Sequence, residues 1–352
     1  MAISVALRVG GFAIITVLAL RHSSPAHSET EQTSKSWVYV FGASLALYFV
    51  VGAAFHAQIT TFILYMIGLV LLVVAATASV SATDQDLRKG VVWALGALLV
   101  SSLALGALVP ALGFEGGRLR GVLENANTLG FFAFLLGCAA LTIVDSPRWR
   151  VALLLLSGII LVLSASRASS LALAIVVLLL VLRRGFARSI IIAVSGVLVL
   201  GVVLLLNPSL LDPFANLLRM NDSRSDSTAT ALRAFETSPL IGIGVGNESS
   251  IIASSPFRAL AQAGIFGLVA VISMWIILLI QGLKSGYKTV TVAIAAIVHS
   301  VFEGWLLSPV SPLLAIFMFF WIVVANREKS DSTGRKTRTN QTNIDYQIKL
   351  RQ

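Results

Sequence analysis

The sequence predicts an all-α, polytopic integral membrane protein with about eleven transmembrane helices. Hydrophobic residues make up 57% of the chain and charged residues only 12%, whereas an average soluble domain carries about 25% charged residues. The apolar runs are roughly 16–22 residues long, which is the length that a helix needs to cross the hydrocarbon core of a bilayer. They do not alternate with polar residues, which excludes strands as the spanning elements.

The predicted spans form a single transmembrane domain over residues 1–326. They cover residues 4–21, 36–55, 60–81, 91–112, 126–145, 149–164, 167–183, 189–207, 259–281, 289–305 and 309–325. Cleavage of the first run as a signal peptide would invert every later span, so we expect it to remain, with its N-terminus outside. Because the total number of predicted spans is odd, it stays open whether a further span precedes the first one.

Two segments lie outside the membrane in this prediction. Residues 207–258 form one loop of about 50 residues on the outer face, too short for an independent enzyme domain of ordinary size. Residues 327–352 form a basic cytoplasmic tail that we expect to be disordered and to contact anionic lipid.

The basic residues predict the orientation. With the loops 22–35, 82–90, 146–150, 183–188 and 282–288 and the C-terminal tail in the cytoplasm, 18 of the 26 basic residues and every lysine lie inside. The net charge of +10 is therefore explained by topology signals, and no nucleic-acid partner is expected.

The basic residues left on the outer side are all arginines. Arginine forms planar, bidentate hydrogen bonds with phosphate and carboxylate, so this pattern favours an anion site. The alternative is that a few arginines always fall outside. The arginines on the outer side are Arg8, Arg118, Arg120, Arg167, Arg219, Arg224, Arg233 and Arg258.

Polar side chains enter the membrane between the fourth and fifth spans. Arg118 and Arg120 precede Glu124, Asn125 and Asn127, which stand at the start of an apolar helix. One asparagine is explained as a helix cap. Two amides with two arginines exceed what a cap needs, and polar groups inside a membrane are usually functional. The segment is therefore a candidate binding site, with capping as the alternative.

The apolar stretch 151–182 is interrupted only at Ser164–Ser170. A single helix of this length would measure about 50 Å, which is too long for one crossing. Two short helices joined by a tight turn fit better, and they place Ser166 and Arg167 at the outer interface. The serines favour phosphate binding there; the alternative is that Arg167 reaches to lipid headgroups.

The outer loop contains Arg224 and Arg233, followed by Gly242, Gly244 and Gly246. Glycines at alternate positions allow backbone N–H groups to turn toward an anion. A glycine run alone is a weak signal, because it is more often a simple turn.

His299 and Glu303 are four residues apart and are predicted on one helix face near its outer end. Such a pair can transfer a proton, and a structural hydrogen bond is the equally weighted alternative. No metal or cofactor is expected, because Cys138 is the only cysteine and the other histidines, which lack ligand spacing, lie in loops.

In order and spacing, these motifs resemble the superfamily of O-antigen ligases and O-antigen polymerases, over about residues 120–320. The similarity lies in the Arg-Gly…Asn-x-Asn…Gly segment at Arg120–Gly130, the Leu-Ser-x-Ser-Arg turn at Leu163–Arg167, Arg224 with Pro239 fifteen residues later, the glycine run, and Gly264-x-x-Gly267.

The resemblance implies a metal-independent glycosyltransferase of the bacterial inner membrane. The donor would be a polyprenyl-diphosphate-linked glycan whose diphosphate is held by arginines, and the acceptor another glycan or a lipid. Ligases of this superfamily carry a histidine eleven residues before the glycine matching Gly264, and that position is Ala253 here. The superfamily usually has an aromatic residue four positions after the arginine that matches Arg224, and that position is Thr228 here. Polymerase-like or divergent transfer is therefore favoured over ligation.

Without that histidine, another group must accept the acceptor proton. We expect Glu303 or His299 to act as base, with Glu124 as the second candidate. A secondary transporter of an anionic or lipid-linked solute is the main alternative function, although no internal repeat supports it. A non-catalytic assembly partner in envelope synthesis is the third.

Overall fold

The computed structural model describes residues 29–80, 85–183, 224–249, 252–308 and 311–330, and helices make up most of them. The helices are α1 (Glu29–Phe49), α2 (Ile59–Val80), α3 (Gln85–Leu108), α4 (Ala126–Thr142), α5 (Pro147–Ser164), α6 (Arg167–Leu182), α7 (Arg224–Thr237), α8 (Ser255–Ser285), α9 (Tyr287–Phe302) and α10 (312–330). The smaller elements are a π-helical turn (Val50–Ala54), a helical turn (Pro110–Gly113), an antiparallel hairpin of β1 (Phe114–Glu115) and β2 (Arg118–Leu119), and a 3-10 turn (Gly304–Leu307).

Among the residues that the structure describes, five helical segments are long and apolar enough to cross a membrane. They are Lys35–Ala54, Ile59–Val80, Arg88–Leu108, Pro147–Ser164 and Ser255–Ser285, and α4, α6 and α9 are shorter apolar helices. All eight lie on predicted spans, which confirms an α-helical protein with apolar helices of membrane-crossing length. The predicted spans 4–21 and 189–207 lie outside the described residues, so the total of eleven remains a prediction.

The serine-rich segment forms a tight turn between two helices, as the sequence predicts. Helix α5 ends at Ser164, Ala165 adopts a left-handed conformation (φ 47°, ψ 40°), and α6 begins at Arg167. A left-handed residue ends the helical hydrogen-bond ladder and allows the chain to change direction at once. The prediction of two short helices is therefore confirmed.

Helix α8 is broken near its N-terminal end. It begins at Ser255, four residues before the predicted span, and Ala263 and Gly264 depart from helical geometry. Gly264 has φ +60°, and a Cβ at this position would overlap the backbone of Pro239 and Leu240. The loop before α8 therefore packs into the break, and only glycine fits there.

Helix α4 is the centre of the described bundle and is buried on nearly every side. It packs against α3, α5 and α6. Gly137 permits one close approach, because a Cβ there would stand 2.7 Å from a methyl group of Leu173. The polar residues at the start of α4 are thus held where several helices meet.

Residues 327–330, the first four of the predicted disordered tail, are helical. Helix α10 continues to residue 330. Arg327 pairs with Asp145, and Glu328 accepts hydrogen bonds from the backbone N–H groups of Lys288 (3.0 Å) and Thr289 (2.9 Å) at the start of α9. These contacts hold the end of α10. The rest of the tail, 331–352, lies outside the described residues.

The orientation can be tested by cysteine labelling in intact cells. An impermeant maleimide is expected to label a Ser249→Cys variant, in the loop before α8, and to spare Ser330→Cys at the end of α10, because the cation distribution puts these sites on opposite sides. Both residues are exposed, whereas the native Cys138 is fully buried and gives little background. Labelling at position 330 before lysis would contradict the topology.

Candidate functional site

A polar cluster lies at one end of the bundle, where β2, the start of α4, the turn between α5 and α6, and the end of α9 meet. Four segments that are far apart in the sequence contribute to it. We define the cluster by Arg118, Asn127, Ser166, Ser169, His299 and Glu303. Five of these six residues were predicted as site residues, and the structure brings them together.

Arg118 connects the hairpin to both helices. Its Nε donates to the carbonyl oxygen of Ser164 (2.9 Å), and its Nη2 donates to the Asn127 side chain and to the carbonyl of Ala165 (3.4 Å). The carbonyls at the end of α5 lack helical partners and carry partial negative charge, so a guanidinium is well suited to them. Arg118 therefore fixes the serine turn against the start of α4.

The two asparagines have different roles. Asn125 caps α4, because its side chain accepts from the backbone N–H of Asn127 at 2.7 Å. Asn127 stands inside the cluster, where its Nδ2 donates to Glu303 Oε1 at 3.1 Å. The capping alternative thus applies to Asn125, whereas Asn127 links Arg118 to the carboxylate.

The serine turn contacts α4 at Gly130. A Cβ on Gly130 would overlap Cβ and Oγ of Ser166, so the close approach requires glycine. Ser166 donates to Ser169 Oγ (2.9 Å), and Ser169 Oγ lies 3.0 Å from Nε2 of His299. A chain of hydroxyl groups therefore runs from the turn to the histidine.

His299 is enclosed by aromatic rings. It is 2% exposed, and its ring stacks on Phe134 at 5.8 Å and meets Phe131 edge-on at 5.0 Å. Trp305 lies 6.2 Å away. This environment holds the imidazole in one orientation and separates it from solvent, so its geometry suits a positioning residue better than a group that reaches an acceptor.

Glu303 does not share a helix face with His299, contrary to the sequence prediction. Helix α9 ends at Phe302, and Glu303 is extended (φ −136°, ψ 141°). Its N–H donates to the carbonyl of His299 (2.9 Å), and its own carbonyl accepts from Ser255 Oγ (2.6 Å). The helical spacing rule fails here because the helix stops between the two residues. The half-buried Glu303 side chain consequently points to Asn127.

Several other predicted residues are not among the six that define the cluster. Arg120 donates to the carbonyl of Leu112 (3.2 Å) and lies 3.8 Å from the carboxylate of Glu115. Glu124 and Arg233 are exposed. Arg224 begins α7, and its side chain lies outside what the structure describes. Arg167 follows Ser166 directly and is half-buried at the start of α6.

The glycine run packs the loop against α8 and does not form an anion nest at Gly244. The N–H of Gly244 donates to the carbonyl of Gln262 (3.0 Å), and the N–H of Val245 donates to Gly52 in the π-helical turn (2.7 Å). These donors are occupied by backbone acceptors. All three glycines have positive φ, as a turn requires, and a Cβ on Gly246 would meet open space.

Three residues in or beside the polar cluster were not predicted as site residues. Ser169 belongs to the serine turn, and Ser255 begins α8. Arg258 was predicted only as one of the outer arginines. Its guanidinium lies beside Gly304, the residue after Glu303, because a Cβ built on Gly304 would be 2.9 Å from Arg258 Nη1. Nothing in the local sequence of Ser255 or Arg258 indicates that α8 passes beside the end of α9.

A Gly130→Ala variant should test the contact between the serine turn and α4. The added methyl group has no space beside Ser166, so we expect a loss of about 1–3 kcal/mol of stability, measured by thermal unfolding in detergent. Gly158→Ala in α5 is the matched control: its Cβ meets nothing within 4 Å, and alanine should stabilise that helix by about 0.5–1 kcal/mol. Equal stability of the two variants would contradict the contact.

Among the residues that the structure describes, no group of three or more histidine, cysteine or acidic side chains is arranged to hold a metal ion. Comparison of the sequence with protein-family models and with curated proteins finds no match. The polar cluster and the sequence motifs are therefore the features that bear on function.

Proposed function

We propose that the protein is an envelope glycosyltransferase that moves a glycan from a polyprenyl-diphosphate carrier to an acceptor on the outer face of the bacterial inner membrane. The observation that carries this proposal is the chain of contacts from Arg118 through Asn127 to Glu303. It combines a cation, an amide and a half-buried carboxylate at one end of apolar helices. A lipid-linked donor would present its diphosphate at this depth.

Electrostatics supports a diphosphate at this end of the bundle. Arg118 belongs to the polar cluster, Arg167 follows Ser166 of the cluster directly, and the guanidinium of Arg258 lies beside Gly304, the residue after Glu303. The acid of the cluster is Glu303. Fixed cations that face developing negative charge in a partly buried site stabilise it far more than water does. A departing diphosphate is such a charge.

The proposed step transfers the sugar in one displacement. The oxygen of an acceptor hydroxyl forms a bond to the anomeric carbon, and the bond from that carbon to the diphosphate oxygen breaks. The electron pair leaves with the diphosphate, whose charge the arginines stabilise. The acceptor proton passes to the carboxylate of Glu303, which Asn127 orients.

His299 has a positioning role in this proposal. Its contact with Ser169 ties the serine turn to α9, and its aromatic surroundings keep the ring fixed. Glu303 follows directly from the end of that helix. A His299→Ala variant should therefore displace both the turn and the carboxylate.

A deletion strain tests the function. Its envelope polysaccharides, separated on a gel, are expected to lose chain length or to lose attachment, and the intact gene should restore them. An unchanged polysaccharide profile in the deletion strain would contradict the proposal.

A transporter for an anionic or lipid-linked solute is the second candidate, favoured by the break in α8 at Ala263 and Gly264. Broken helices bind substrates in many transporters. Proteoliposomes separate the two functions: a transporter moves the lipid-linked glycan across the bilayer without changing it, whereas a transferase forms a new glycosidic bond.

A further inference from the structure

A cavity of about 610 Å³ lies between α3 and α5, at the other end of the bundle from the polar cluster. The end of α4 closes it at Ile143 and Val144. Asn127, in the polar cluster, is sixteen residues before Ile143, which corresponds to ~24 Å along a helix. The cavity is therefore distinct from the proposed transfer site.

The walls of the cavity are mainly apolar, and two tryptophans stand at its mouth. The rings of Trp93 and Trp149 meet edge-on at 6.1 Å, and the residues are 67% and 57% exposed. Tryptophan is enriched where the hydrocarbon core of a bilayer meets the headgroups. The pair marks the depth at which a lipid headgroup would begin.

The charged residues of the lining carry a positive excess. Arg88, Lys89 and Arg327 line the cavity together with one acid, Asp145, which gives a net charge of +2. Arg327 pairs with Asp145. Arg88 and Lys89 lie about one turn before Trp93 on α3, so two cations line the cavity close to the aromatic pair. Basic pockets between helices on this side of a membrane suit anionic headgroups.

The size of the cavity limits what can occupy it. Its volume falls within the ~300–1,000 Å³ that holds one small ligand. A transmembrane helix about 10–12 Å wide and about 30 Å long is several times larger. One lipid acyl chain, with its headgroup at the basic rim, is compatible with both the volume and the apolar walls.

We infer that this cavity binds one anionic phospholipid, with an acyl chain between α3 and α5 and the phosphate beside Arg88 and Lys89. The site does not depend on the proposed function, because it uses none of the residues of the polar cluster. Its occupant would fill the space between the two helices and support their packing at the inner end.

Native mass spectrometry of the purified full-length chain tests the site, with dioleoylphosphatidylglycerol and dioleoylphosphatidylcholine as probes. Each basic residue near anionic lipid contributes about a fivefold preference, so two should give about thirtyfold tighter binding of the anionic lipid. The double variant Arg88→Gln, Lys89→Gln should lose this preference. The matched control is Arg148→Gln, an exposed arginine at the same end that is not part of the lining.

A second pair of variants tests whether the lipid occupies the cavity itself. Gly96 lines the cavity and Gly90 does not, and a Cβ on either meets nothing within 4 Å. We expect Gly96→Trp to reduce binding of both lipids at least tenfold and Gly90→Trp to leave it unchanged. Equal binding of the two lipids, or full binding to the Gly96→Trp variant, would overturn the inference. Occupation by a second copy of the chain, seen as a dimer mass without bound lipid, would also overturn it.

Discussion

Replacing Glu303 with glutamine is expected to slow glycan transfer by about 10²–10⁴-fold, the usual contribution of a general base. Glutamine keeps the side-chain oxygen that accepts from Asn127, so the hydrogen bond at 3.1 Å can persist while the charge is lost. The assay measures transfer by the purified protein in proteoliposomes at several pH values. Protein amount and thermal stability should remain near those of the native chain.

Two further variants distinguish a base from a structural carboxylate. Glu115→Gln removes an exposed acid at the same end of the bundle, 3.8 Å from Arg120, and should transfer at the native rate. Glu124→Gln tests the second candidate base and should also have little effect, because Glu124 is exposed. Native-rate transfer by the Glu303→Gln variant, with unchanged pH dependence, would refute the assignment of Glu303.

Replacing Arg118 with alanine is expected to reduce transfer by about 10²–10³-fold, the typical effect of removing one fixed donor that faces transition-state charge. Arg118 also holds the carbonyls of Ser164 and Ala165 and the amide of Asn127, so its loss disturbs the whole cluster. Arg118→Lys should restore activity only in part, because an ammonium group cannot reproduce the arginine fork. The same proteoliposome assay measures all three proteins.

Arg120→Ala is the matched control for Arg118. The two arginines are two residues apart and look equivalent in the sequence, but Arg120 donates to the carbonyl of Leu112 and forms an ion pair with Glu115 at 3.8 Å. Transfer by the Arg120 variant should stay within a few-fold of the native rate. If the two alanine variants were equally impaired, the cluster would not be the diphosphate site.

Two predictions from local sequence, the apolar helices and the serine-rich turn, were confirmed. The lengths of the apolar runs predict helices that are long enough to cross a membrane, because lipid requires each segment to satisfy its own backbone hydrogen bonds. The Ser164–Ser170 interruption predicts the turn between α5 and α6, since one helix of that length exceeds the membrane. Arg118, Asn127 and the serine turn were identified as candidates because polar groups are costly in an apolar segment.

Tertiary structure decided how those residues are used. Arg118 and Arg120 cannot be distinguished from the sequence. In the folded hairpin, Arg118 contacts Asn127 of α4, whereas Arg120 pairs with Glu115. The predicted helical pairing of His299 and Glu303 was wrong because α9 ends at Phe302, before Glu303. There the hydroxyl of Ser255, from α8, donates to the carbonyl of Glu303 and fixes the extended backbone. The glycine run was a candidate nest, yet backbone carbonyls of α8 and of the π-helical turn accept from the N–H groups of Ile243, Gly244 and Val245.

The physical reason for this division lies in the range of each interaction. Hydropathy, helix length and capping act over a few residues, so they can be inferred from the order of the amino acids. The partner of a polar side chain is chosen by whichever donor or acceptor the packed helices bring within about 3 Å. For Glu303 that partner is Asn127, 176 residues earlier in the chain, and only the assembled bundle places them together.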